Sequence, residues 1–338
     1  IEVATESEVL EAARRLLYAG LPIQDVTDTH DASRFATTHG PDFRYVSDLG
    51  KSERPWLLWN GRHWERETAR PIRRLLMQFW FAAKLYAEAL ARGTDADAKA
   101  WQAFVGNTRR RLNRVGQDAI LAVVPSFSGV SIRDRALDSE HTSMLLNVGN
   151  GTLDLTTGTL REHRREDLLT RLIEIDYDPN AQAPRWDQFM LEVFEGDEEM
   201  VSFIQRLFGY VTTGSTREEK FFIFFQEGGG GGKGTMLNAI MEALGPYGRN
   251  AEASTLDEDC KETIRSDLKR MENARLMVVN ELEAGMALAE SLVKKIASGD
   301  LITARNRYAD ETEFRSTVKV VMPTNHLPKI RSGGDATW

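Results

Sequence analysis

Five consecutive glycines, Gly228, Gly229, Gly230, Gly231 and Gly232, followed by Lys233, Gly234 and Thr235, are where residue type and order most directly suggest chemistry in this 338-residue chain. The run follows an apolar stretch at 221–225 and precedes helix-period residues that stop near Gly245-Pro246. In the order strand, glycine loop, lysine, helix, successive backbone N–H groups can wrap a phosphate with no side chain in the way. The helix N-terminus adds partial positive charge. Lys233 would then reach the β and γ phosphates of a nucleotide. Two positions depart from the pattern G-x-x-x-x-G-K-[ST]. Glu227 stands at the first glycine, and Gly234 follows the lysine, which moves the Mg²⁺-binding hydroxyl one place on, to Thr235. A flexible glycine linker is the alternative, and the flanking strand and helix argue against it.

A phosphate loop needs an acidic partner at the end of a neighbouring strand. The apolar stretch at 275–279 is closed by Asn280, Glu281 and Glu283, and alternate residues of an extended chain face one side. Both glutamates can therefore point toward a metal and an attacking water, one holding Mg²⁺ and the other polarising the nucleophile. A third strand, at 317–322, leads into Asn325, whose amide can hydrogen-bond the γ phosphate or the water. Between these strands lie Lys294 and Lys295, then a basic segment with Thr303, Arg305, Arg307 and Tyr308, and a return with Phe314 and Arg315. A positively charged hairpin beside a nucleotide site can grip single-stranded nucleic acid. The acidic Asp310, Glu311 and Glu313 leave an ordinary charged hairpin as the alternative.

The elements that must position these groups are legible from periodicity. Residues 7–20 have helical spacing. Residues 44–64 alternate as strands around Asn60-Gly61, a hairpin turn, and 69–91 and 95–124 return to helical period as a block of three helices. A second β segment spans 144–178 with a tight turn at 156–159. A linker with Pro179 and Pro184 follows, then helices over 186–211, where Asp197, Glu198 and Glu199 suit a helix start. The expected organisation is an α+β domain over 1–180, a helical linker over 181–214 and an α/β module over 215–338. The run Arg109, Arg110, Arg111 and Arg114 reads equally as a solvated helix face or a phosphate contact.

Composition narrows the class. With 41% hydrophobic and 28% charged residues, disordered, collagen-like and coiled-coil chains are excluded, and no apolar run is long enough to span a membrane. A net charge of −8, from 43 basic and 51 acidic residues, argues against a surface coated with nucleic acid while leaving room for a local basic channel. One cysteine, Cys260, rules out an internal disulfide and fits a reducing compartment. The six histidines have no ligand spacing, so no structural zinc is expected. A start at Ile1 without a leader and a stop at Trp338 suggest a piece of a longer protein.

The ordered set of 228–235, Asn280-Glu281-Leu282-Glu283, 294–300 with Ile302-Thr303-Ala304-Arg305, and Thr324-Asn325-His326 resembles the superfamily 3 helicase module of phage and plasmid primase-helicases. It is also similar to the poxvirus primase-helicase. Upstream, Phe43-Arg44-Tyr45-Val46 and residues 56–64, 150–158 and 168–186 extend the resemblance from about residue 25 onward. The resemblance implies an α/β AAA+-like P-loop ATPase module, truncated at its C-terminus, preceded by an α+β, helix-rich collar domain. It implies ATP and Mg²⁺ as cofactors, Lys233 as the phosphate-loop lysine, Glu281 and Glu283 as the acidic pair, and Asn325 as the sensor. Thr235 and Glu281 would face Mg²⁺, and Lys294, Arg305, Arg307 and Tyr308 would contact single-stranded DNA. It further implies a hexameric 3′–5′ DNA helicase of phage or plasmid replication, in the host-cell cytoplasm, with a primase domain upstream. Relatives commonly have Asn at Gly231 and glycine at Glu227. They continue past Trp338 into an arginine pair, so without that finger hydrolysis is expected to be slower by on the order of 10³. The rival is a replication initiator or scaffold that ATP only stabilises. A small-molecule kinase, which would share Gly-Lys-Gly-Thr, lacks its lid-like arginine segment here.

Overall fold

The structure, a computed structural model, describes residues 27–49, 54–66, 71–92, 96–260, 266–280, 284–304 and 312–330. The helix expected over 7–20 lies outside them. Among the described residues, apart from short loop segments, those through Ala136 form one compact unit and those from Leu137 another.

In the first unit α1 (Asp28–His39) starts at Thr27, whose hydroxyl accepts from the His30 N–H, with Asp28 and Asp31 in its first turn. Strands β1 (Phe43–Val46), β2 (Trp56–Trp59), β3 (Trp64–Arg66) and β4 (Ser131–Ile132) form a sheet in the order β3-β2-β1-β4. The Asn60-Gly61 turn joins β2 to β3, pairing Trp59 with Trp64. Three helices, α2 (Pro71–Leu90), α3 (Ala96–Leu112) and α4 (Arg114–Val123), follow as the periodicity predicts. Phe35, Phe43, Trp56, Leu76, Trp80 and Ile120 share the core.

One member of the arginine run, Arg111, is structural. Arg111 is buried between the rings of Trp80 and Phe104, and its Nε donates to Asp31 Oδ2 at 2.7 Å. Arg110 pairs with Asp28 at 2.9 Å and Arg114 with Asp118 at 3.8 Å, and both of these side chains are exposed, as is Arg109.

The second unit opens with a meander, β5 (Leu145–Val148), β6 (Gly151–Asp154) and β7 (Thr159–Arg161), followed by α5 (Pro184–Val193) and α6 (Glu198–Thr212). Then come β8 (Phe222–Phe225), α7 (Lys233–Leu244), β9 (Gly248–Glu252), α8 (Ser266–Arg270), β10 (Leu276–Asn280) and α9 (Glu290–Ser298). Last are the hairpin β11 (Leu301–Ala304)–β12 (Thr312–Arg315) and β13 (Lys319–Thr324). Strands β8, β13, β10 and β9 form, in that order, an all-parallel sheet. Its inner strands read as unbroken apolar runs because helices cover both faces. Leu276, Val278 and Val321 face Met236, Leu237 and Leu244 of α7, while Met277, Val279, Val320 and Met322 face Val293 and Ile296 of α9.

The division at Leu137 falls upstream of the boundary expected near 180. Leu146, Val148, Leu153 and Ile173 of the meander region share a core with Ile204 and Leu207 of α6 and with the parallel sheet. These buried side chains of residues 137–180 therefore belong to the core of the second unit.

At the N-terminal end of the sheet two buried cations close α6. Arg275 donates to the carbonyls of Thr212 and Leu145, and Lys319 Nζ to those of Thr213, Ser215 at 3.2 Å and Thr317 at 3.0 Å. The last carbonyls of a helix lack intrahelical partners and carry partial negative charge, so cations suit them. Burial, with Arg275 beside it, pushes the Lys319 ammonium well below the ordinary lysine range. The folded chain thus releases this proton at lower pH than the unfolded chain. Between those two values the unfolded state holds more protons, so stability rises with pH and levels off above the ordinary value of 10.5. Urea midpoints measured from neutral pH to pH ~10 should show this rise in the wild type and a flatter dependence in Lys319→Met. Parallel curves for the two proteins would contradict the assignment.

Candidate functional site

All four parallel strands end at one edge, with Thr324 level with Phe225 and Asn280 level with Glu252. Ligands of open parallel sheets bind beyond the carboxyl ends of the strands. The loop after β8 lies at this edge. Gly228, Gly230 and Gly232 have φ of 78°, 93° and 76°, where only glycine is unstrained. At Gly232 packing adds a second reason, since a Cβ there would lie 2.6 Å from Val193 Cγ2 of α5. Gly229 and Gly234 instead face open space. Helix α7 begins at Lys233, and no side chain caps it. The N–H groups of its first turn are therefore turned toward the loop, an arrangement suited to an anion.

Lys233 Nζ donates to Asn325 Oδ1 at 3.0 Å, to the Thr324 carbonyl at 3.3 Å and to the Gln226 carbonyl at 3.4 Å. These three acceptors are neutral oxygens, which leaves the ammonium charge available to an anion. The turn after β13 fixes Asn325. Thr324 Oγ1 donates to the His326 carbonyl at 2.6 Å and accepts from the His326 N–H at 3.0 Å. Gln226 N donates to the Thr324 carbonyl at 3.2 Å, carrying the β8–β13 pairing one residue past the strand. The Gln226 carboxamide lies over Gly231, where a Cβ would fall 1.6 Å from its Oε1. Sequence reasoning passed over Gln226 and named Thr324 only as a neighbour of Asn325. Their position directly at the two strand ends was the available sign.

Of the residues expected to act, the five glycines, Lys233, Gly234, the exposed Thr235 and Asn325 come together at this edge. Glu281 and Glu283 follow Asn280, whose Nδ2 donates to Asn250 Oδ1 at 3.4 Å, but lie outside the described residues, as do Arg305, Arg307 and Tyr308. Lys294 is exposed on α9 beside buried Val293 and Ile296. In the hairpin, Ile302, Ala304 and Phe314 point inward, while Leu301, Thr303, Glu313 and Arg315 are exposed. Among the described residues no group of three or more His, Cys, Asp or Glu side chains is placed to hold a metal ion, and no helix is long and apolar enough to cross a membrane.

Residues 32–195 match the D5 N terminal like family. The D5 N terminal like segment takes in most of the described first unit, the β5–β7 meander and α5. Residues 225–337 match a family of unknown function, DUF5906, which starts at the last residue of β8 and contains the glycine loop, Lys233 and Asn325. Among solved structures, the A form apo structure of NrS-1 C terminal region-CTR is similar at 16% identity and a TM-score of 0.38, over 46% of this chain and 36% of that one. The apo structure of NrS-1 C terminal region (305-718) is similar at 15% identity and a TM-score of 0.36, over 43% of this chain and 34% of that one. The chain thus covers 36% and 34% of those structures. No curated protein matches it.

Proposed function

We propose that the second unit is an AAA+-like P-loop ATPase module that binds ATP with Mg²⁺, and that the whole chain is the helicase part of a phage or plasmid primase-helicase. The observation that carries this reading is the Lys233 ammonium, set at an uncapped helix N-terminus and bonded to Asn325 at the tip of the adjacent parallel strand. An all-parallel sheet in the order β8-β13-β10-β9, with the glycine loop on β8 and the acidic pair directly after β10, supports it. The D5 N terminal like match supports the primase-helicase reading of the upstream part.

In this reading the loop N–H groups hold the phosphates, and Lys233 exchanges its neutral acceptors for β and γ oxygens. Thr235 and Glu281 would hold Mg²⁺, which neutralises charge developing on the phosphate oxygens. Glu283 polarises the attacking water and Asn325 orients it. Arg305, Arg307, Tyr308 and Lys294 grip single-stranded DNA, and subunits act as a ring, with a hexamer expected from the resemblance. ATPase assays with and without single-stranded DNA test this. DNA should raise turnover several-fold, and Arg305→Ala should lose the stimulation. Turnover indifferent to DNA would favour a scaffold that ATP only stabilises.

A further inference from the structure

Two helix faces, one in each unit, carry apolar stripes that stand in solvent. Helix α2 buries Leu76, Trp80 and Ala83 on its inner side, yet Met77, Phe81 and Leu85, at i, i+4 and i+8, are exposed on the other, Phe81 by 56%. In the second unit Met200 and Phe203 continue the buried stripe of Ile204, Leu207, Phe208 and Val211 toward the N-terminus of α6. Phe203 is 45% exposed, and Leu191 is exposed near the end of α5, across the short turn that joins the two helices.

The charges around the two stripes are opposite. The α5–α6 face holds six carboxylates, Asp187, Glu192, Glu195, Asp197, Glu198 and Glu199, against two arginines, Arg185, which pairs with Glu192 at 3.2 Å, and Arg206. The α2 stripe is flanked by Arg73 and Arg74, and Asp118, which pairs with Arg73, also pairs with Arg114 at 3.8 Å. With Lys84, which pairs with Glu88 at 3.3 Å beside Leu85, that places four cations against two carboxylates. An apolar centre with a charged rim is the usual anatomy of an interface.

We propose that copies of this chain associate head to tail, the outer face of α2 in one copy docking on the α5–α6 face of the next. Pairing either face with itself would oppose like charges, which complementary association avoids. A contact between unlike faces is heterologous and builds rings when the rotation closes. This inference rests on the ring reading above and assigns the surfaces that form the ring.

Sedimentation velocity on the full chain, with and without ATP, tests it using Phe81→Asp and Phe203→Asp, both on exposed positions. The wild type should assemble with rising concentration and disassemble with salt, and each variant alone should remain monomeric. An equimolar mixture should form dimers and stop there, because only one intact pair of faces remains. A monomeric wild type, variants that assemble like it, or a mixture that stays monomeric would overturn the proposal. Binding of a fluorescent ATP analogue by the same variants reports separately on the nucleotide site. Its loss in the wild type would sink the ATPase reading while leaving dimers in the mixture to uphold the surfaces.

Discussion

Replacing Lys233 with alanine is expected to lower affinity for a fluorescent ATP analogue roughly 10- to 100-fold with almost no change in thermal stability. A hydrogen bond to a charged group contributes about 1.5–3 kcal/mol, and 1.4 kcal/mol is tenfold in affinity. Turnover should fall further, by roughly 10²–10³, as when one donor aimed at developing charge is removed. The fold should be spared because the three oxygens that Lys233 contacts lie at an open edge where water can replace the ammonium. Affinity within threefold of wild type would remove Lys233 from the phosphate site. A melting temperature lowered by several degrees would instead make its contacts with Asn325 and Thr324 structural.

The order strand, glycine loop, helix was legible in the sequence because its signals are local: glycines free the backbone, and the lysine opens a helix. The inner strands β10 and β13 were legible because burial on both faces demands unbroken apolar runs. Strand β9, Gly-Arg-Asn-Ala-Glu, was not. It is an edge strand with Asn250 and Glu252 exposed, so neither alternation nor an apolar run marks it. Helix α1 was hidden for a related reason: its inner face spends polar residues, with Asp31 and Arg34 buried and paired at 3.2 Å. Asp31 also explains why the arginine run was ambiguous. Nothing in the spacing of Arg109–Arg111 tells which guanidinium meets a carboxylate 80 residues away. The grouping of the meander with α6 rests on the same long-range information, since the meander's polar turns resemble an independent hairpin until its apolar face meets α6.

The largest loss of stability from a single substitution outside the loop is expected at Arg275, a residue that nothing local distinguishes. Its guanidinium joins three parts of the second unit, donating to the Thr212 carbonyl at the end of α6 and the Leu145 carbonyl at the start of β5 while lying 4.5 Å over the Tyr247 ring. Its own backbone links the sheet to its surroundings, its N–H donating to the Tyr247 carbonyl at 2.7 Å and its carbonyl accepting from the Lys319 N–H at 2.8 Å. Burial pushes the guanidinium below its ordinary range, a cost that the carbonyls and the ring offset. Arg275→Ala removes the donors and leaves buried carbonyls unpaired, a change worth about 3–5 kcal/mol by analogy with broken buried pairs. The exposed Arg185–Glu192 pair at 3.2 Å should contribute under ~1 kcal/mol. Urea unfolding of the two alanine variants separates them. A midpoint for Arg275→Ala no lower than that for Arg185→Ala would mean that water or a shifted α6 satisfies those carbonyls. In that case the cation would not be what ties the meander to the sheet.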